Sequence, residues 1–142
     1  MKLHGATLMF AAALLCTPLS QTLAQTAVPV SAASDALAYR KDAARHIYAR
    51  FADHIYKGML PALVHAIVVV ETEVDAQGSV TDVHVLRAPS HAPDVTQAVL
   101  DMIHQASPLP VPQFLGKTKF TEVWLVDHSG SFQLHALTEG QH

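Results

Sequence analysis

The segment from Ile67 to Ser90, IVVVETEVDAQGSVTDVHVLRAPS, constrains this chain more than any other. Two runs rich in Val and Thr are joined by Asp75-Ala76-Gln77-Gly78, the pattern of a β-hairpin. The Asp75 carboxylate can accept backbone N–H bonds inside the turn, and Gly78 can take the left-handed conformation that a Cβ penalises. A type I turn closing on a glycine bulge sets Asp75 opposite Ser79, Val74 opposite Val80 and Val70 near His84. Alternation places Val68, Val70, Thr72 and Val74 on one face, and Val69, Glu71, Glu73 and Asp75 on the other. Val80 is in phase with the first set, but Val83 and Val85 are not. One extra residue at Thr81-Asp82, a β-bulge, would bring all three valines onto that face. The face with Glu71, Glu73 and His84 is then wet, and the valine face needs a cover.

Around this hairpin the chain has room for one domain: it is 142 residues long with a formal net charge of −3, which excludes a basic nucleic-acid footprint. Lys2, the apolar run from Leu8 to Leu15 and Thr22-Leu23-Ala24 read as the three parts of a cleavable signal peptide over residues 1–24. That run is too short for a transmembrane anchor, which needs roughly 20 residues. Cys16 is the single cysteine and lies in this segment behind Leu15. The expectation is soluble export to the periplasm, with no disulfide framework, thiolate nucleophile or cysteine-based zinc site in the mature chain.

Residues 25–33 read as a flexible mature N-terminus. Ser34 is the expected N-cap of a helix over 35–56, with Asp35 in its first turn and Leu37, Ala44, Ile47, Tyr48, Phe51 and Ile55 on the inner stripe. Arg40, Lys41, Arg45 and Arg50 fall mostly off that stripe and read as a solvated face. Gly58 is expected to end the helical segment, so that 34–57 precedes a domain over 58–137 and a tail over 138–142. After the hairpin, Pro93 opens a second helix over 93–106, whose face Val95, Val99, Met102, Ile103 and Ala106 should cover the valines. Pro108, Pro110 and Pro112 predict an extended, polyproline-like connector. Phe120–Val126 reads as a third strand, Asp127 and Gly130 repeat the turn chemistry of Asp75 and Gly78, and Phe132–Leu137 should return as a fourth. The fold class is α+β: an N-terminal helix, then β-β-α-β-β with one antiparallel sheet covered by a helix.

The alternating valine strand, the D-x-x-G turn, the small-residue loop ending at Ser90, the helix and the run Ala106-Ser107-Pro108-Leu109-Pro110 occur in an order that resembles the C-terminal domain of TonB, the bacterial energy transducer. The resemblance covers about residues 55–127. It implies a non-enzymatic periplasmic domain that contacts TonB-dependent outer-membrane receptors in transport, by pairing its third strand with an extended receptor segment. By position, that partner-binding edge strand is Phe120, Thr121, Glu122, Val123, Trp124, Leu125 and Val126. The chain departs from the family in lacking an uncleaved anchor helix and a long Pro-rich spacer, in carrying His65-Ala66 where the family has glycine, and in having Leu109 where it often has an aromatic. Such a domain binds without an anchor through which to pull. A homodimer formed by hairpin exchange is compatible with the same pattern.

Two other readings rest on different residues. A cell-envelope assembly module would use the same fold to bind other proteins or peptidoglycan. A metal or pH sensor would use the ten histidines. His46 and His54 are eight apart and cannot share one ion on a helix, and no His-x-x-x-His pair exists, so neither a metal site nor a cofactor is expected. Nor is a nucleophile motif, P-loop or dinucleotide fingerprint present. Glu71 and Glu73 read as a solvated ladder.

Overall fold

The computed structural model describes residues 26–140; the signal-peptide reading of 1–24 and the last two residues of the tail lie outside the described residues. The elements in order are β1 (Val30–Ser31), α1 (Ala36–Arg50), β2 (Ala66–Val74), β3 (Val80–Arg87), α2 (Pro93–Ala106), β4 (Val111–Pro112), β5 (Thr118–Val126) and β6 (Phe132–Leu134), with 3-10 turns at Ala52–His54 and His135–Leu137. Strands β3-β2-β5-β6 form one antiparallel sheet in that order, while β1 and β4 form a separate parallel pair. The α+β class is therefore present, with two helices and a four-stranded antiparallel sheet.

The hairpin follows its turn chemistry. Asp75 Oδ1 accepts from the N–H groups of Gln77 and Ser79, each at 2.9 Å, and Gly78 has φ +87°. Val74 pairs with Val80, and the register slips by one at Thr81, the expected bulge. Beyond it, Val83 faces Thr72, Val85 faces Val70 and His84 sits opposite Glu71. A second slip, at Leu86, was not foreseen; it leaves that side chain unopposed and exposed. Asp127 and Gly130 build the same turn between β5 and β6, Asp127 Oδ1 accepting from Ser129 N (2.9 Å) and Ser131 N (3.0 Å).

Both helices contribute to one core against the valine face. Val68, Val70 and Val74 are buried with Phe120, Trp124 and Val126 of β5, under Tyr39, Ala43, Ala44 and Ile47 of α1 and Val99, Ile103 and Ala106 of α2. Each large side chain in this layer contributes roughly 1.5–3 kcal/mol by leaving water. On α2 the expected face is found, with Val95 and Met102 only half-buried at its margin. On α1 three details change. Asp35, not Ser34, is the N-cap, its carboxylate accepting from Ala38 N at 2.8 Å. Tyr39 replaces Leu37 on the inner stripe, Leu37 being 66 % exposed. The helix stops at Arg50, well before Gly58, because Ile55 and Tyr56 turn outward to run beside β6: Tyr56 N donates to Phe132 O at 2.9 Å.

Segments expected to be loose are tied down. Of the N-terminal stretch, Val30 pairs with Val111 and Ser31 is buried, its hydroxyl donating to Asp42 Oδ2 at 2.6 Å. That pairing makes part of the proline connector a strand. In the tail, Gly140 O accepts from Leu60 N (2.9 Å), and Thr138 Oγ1 and Glu139 N both donate to Gln133 Oε1. The amide of buried Gln133 donates in turn to Tyr56 O and Gly58 O, so one side chain from β6 fixes the loop before β2 and the tail together. Tyr39 holds the connector from inside: its hydroxyl donates to Pro110 O at 2.8 Å.

Two predictions follow from these contacts. A Cβ on Gly78 would collide with the carbonyl oxygen of Leu109, whose N–H donates to Gly78 O, whereas one on Gly130 (φ +86°) meets nothing within 4 Å. Gly130→Ala should therefore cost only the left-handed strain, about 1–2 kcal/mol, and Gly78→Ala clearly more. Urea unfolding of both variants measures the gap; equal losses would show that the connector yields freely. Separately, burial raises the Tyr39 pKa above its ordinary 10.0, with Asp42 and Asp75 adding to the effect. The folded state keeps a proton that the unfolded chain releases, so this stabilisation is complete below about pH 10 and is lost as pH rises from there through the folded pKa. Phenolate absorbance should show Tyr39 ionising only together with alkaline unfolding, and Tyr39→Phe should remove that coupling.

Candidate partner-binding edge

β5 is an interior strand for part of its length. It pairs with β2 throughout, from Val74↔Thr118 to Ala66↔Val126. On its other side β6 pairs only with Trp124, Leu125 and Val126. The expectation that all of Phe120–Val126 is an edge is therefore corrected: Trp124, Leu125 and Val126 are covered, and the strand begins earlier, at Thr118. Phe120, Thr121, Glu122 and Val123 keep no strand partner on the β6 side among the described residues. The fourth strand stops at Leu134, and His135–Leu137 form a 3-10 turn.

Glu122 explains where the ladder ends. Along β5 it is in phase with Phe120, Trp124 and Val126, so alternation points its carboxylate at the core, where it is 2 % exposed. Arg40 of α1 meets it with two donors, Nη2 to Oε1 at 2.7 Å and Nε to Oε2 at 3.2 Å. Oε1 also accepts from Val123 N (2.8 Å) and Ala136 N (3.3 Å). The Val123 amide that would continue the β6 ladder is thus taken by a side chain, and Ala136 is drawn in toward it. Arg40 Nη2 lies 3.1 Å from His135 Nδ1; a guanidinium only donates, so His135 accepts there. This cluster ties α1, β5 and the last turn together. The role of Arg40 was not foreseen, although a carboxylate in phase with aromatics on a strand is the signal that could have revealed it.

Below the cluster, the edge from Thr118 to Thr121 lies open. Backbone groups of alternate residues point to the same side of a strand, so the amide direction of Val123 is shared by Thr121 and Lys119. A groove of about 340 Å³ runs beside them, lined by Ala36, Leu37 and Arg40 of α1, Glu71 of β2 and Lys119, Phe120 and Thr121. The exposed Leu37 supplies an apolar rim. The opposite edge of the sheet, β3, is guarded differently: it has two bulges and carries Asp82, His84 and Arg87, with His84 Nε2 at 3.1 Å from Asp82 Oδ2. Bulges and charges of this kind discourage strand addition. On the wet face, Lys119 pairs with Glu71 (3.1 Å) and Lys117 with Glu73 (3.6 Å), which places the glutamate ladder in surface ion pairs.

Three histidines from separate loops, His65, His91 and His128, bring their rings together at one end of the sheet, with centroids 5.4 Å (His65–His91) and 4.4 Å (His65–His128) apart. Sequence spacing gave no sign of this meeting. No group of three His, Cys, Asp or Glu side chains among the described residues is disposed to hold a metal ion. Among the same residues no helix is long and apolar enough to cross a membrane.

Removing one partner of the Arg40–Glu122 pair leaves the other desolvated, at a cost of about 3 kcal/mol; this is the lower end of the usual range because Arg40 keeps some contact with water. Glu122→Leu should therefore unfold at much lower denaturant concentration than the parent. The double variant Arg40→Met/Glu122→Leu should recover part of the loss, though not all, because the Val123 and Ala136 amides remain without their acceptor. Additive losses in that double-mutant cycle would contradict a coupled pair.

Comparison of the chain with protein-family models, with curated proteins and with solved structures found no match to any of them.

Proposed function

We propose that this chain is an exported, non-enzymatic protein-binding domain of the TonB C-terminal type, which recognises an extended segment of a TonB-dependent outer-membrane receptor by β-strand addition. The observation that carries the reading is the half-open β5: paired with β2 along its whole length, paired with β6 only from Trp124, and flanked from Thr118 to Thr121 by a groove with an apolar rim. A docked strand would find backbone partners at Lys119 and Thr121 and a place for one side chain against Leu37. The order of motifs along the chain supports the choice of partner, and the leader-like first 24 residues support a periplasmic location. Binding is the function this reading assigns to the domain.

Strand addition makes the Thr121 amide a donor to the partner. Thr121→Pro should weaken receptor binding by about tenfold, the loss of one or two interstrand hydrogen bonds. The same change should leave the fold intact, because proline is tolerated where the amide faces outward. A photo-crosslinking side chain at Thr121, used in cells, should capture an outer-membrane receptor, and one at exposed Gln97 on α2 should not. Equal capture from both positions, or none from Thr121, would refute the proposal.

A further inference from the structure

We propose that the cleft between the start of β2 and the loop joining β3 to α2 binds a small oxyanion, a carboxylate or a phosphate. The cleft has a volume of about 350 Å³, and its lining includes His65, Arg87, Ser90 and His91 and no carboxylate. Arg87 is the reason to expect an anion there. Its guanidinium has no carboxylate within 4.0 Å among the described residues, a property it shares with Lys41, Arg50 and Lys57, whereas Arg40, Arg45, Lys117 and Lys119 are paired. The nearest acid by register is Glu71, two places along β2 from Val69, the residue opposite Arg87; its carboxylate is taken by Lys119. Asp127, beside His128 in the next turn, has Oδ1 committed to Ser129 and Ser131. Neither acid is paired with Arg87, whose exposed guanidinium stays open to a ligand.

The rest of the lining suits the same ligand. The second bulge, at Leu86, ends the regular ladder and sets Arg87 at the last paired position, opposite Val69, where the chain turns into the loop. Ser90 brings a hydroxyl donor from that loop. His91 Nε2 donates to His65 O at 2.7 Å, which ties the two sides of the cleft together. The His65 ring is held between those of His91 and His128 and has no hydrogen bond of its own among the described residues. A carboxylate or phosphate would meet a guanidinium fork, a hydroxyl and the one N–H of the His65 imidazole, a donor set that recognises oxyanions.

Titration of the full mature chain with inorganic phosphate, and separately with acetate, followed by amide and imidazole NMR shifts, tests this. Saturable shifts at Arg87, Ser90 and His91 with either anion support the site, and the tighter of the two identifies the source chemistry as phosphate or carboxylate. Arg87→Gln should weaken binding at least about tenfold, and Ser90→Ala by a smaller factor. Lys41→Gln on α1, which removes the same charge elsewhere, should leave it unchanged. Shifts that never saturate, or an Arg87→Gln variant that binds like Lys41→Gln, would overturn the proposal.

Discussion

A carboxylate on the buried face of a sheet must be matched, and how Glu122 is matched sets much of this structure. Its two oxygens take four donors: two from Arg40, one from the Val123 amide and one from the Ala136 amide. The arginine fixes where α1 lies across β5. The Val123 contact removes the amide that β6 would need in order to extend, and the Ala136 contact bends the chain out of strand geometry directly after Leu134. One side chain thus decides both the position of a helix and the length of the last strand. Such a pair is weak as a source of net stability, since packed apolar residues often do as well, but it penalises every arrangement in which the two charges are apart. Its effect is to specify one arrangement.

How much of this was legible depends on whether the determining contact was local. Asp75, Gly78, Asp127 and Gly130 act within four residues, so their turns could be read from the sequence directly. The bulge at Thr81 was legible because Val80, Val83 and Val85 cannot share a face without it. The bulge at Leu86 was not, because a single misfit at a strand end leaves no pattern. The α1 stripe went wrong for a tertiary reason. Leu37 is the more hydrophobic residue, yet Tyr39 is inside because the Pro110 carbonyl waits there for its hydroxyl, and Phe120 packs edge-on against its ring at 5.7 Å. Neither partner is within seventy residues of Tyr39 in the chain. The early stop of α1 has the same origin, since Ile55 and Tyr56 are drawn to the outer side of β6.

The candidate site divides along the same line. The proposed binding edge on β5 rests on a resemblance, whereas the pattern FTEVWLV locates the strand itself to within two residues of its start. What the pattern could not show is which part of the strand is free. That depends on β6, on Arg40 and on the Glu122 carboxylate, which come from three other parts of the chain. The histidine cluster, and the place of Arg87 beside it with no carboxylate in reach among the described residues, were hidden for the same reason: they arise only when the loops at one end of the sheet are brought together.

The two edges of the sheet are protected in different ways. β3 is fully exposed along one side, and it is protected by two breaks in its regularity and by Asp82, His84 and Arg87. β5 is regular, and regularity is what an incoming strand requires; its protection is brevity, since among the described residues Thr118 to Thr121 form the open stretch beyond the Glu122 plug. A stretch of four residues offers too few interstrand bonds to hold an arbitrary strand, because each net bond contributes only about 0.5–1.5 kcal/mol. On the reading proposed above, affinity would come from side-chain contacts in the groove beside Leu37 and Phe120. An edge used in that way would select for partner sequence, which backbone pairing alone could not do.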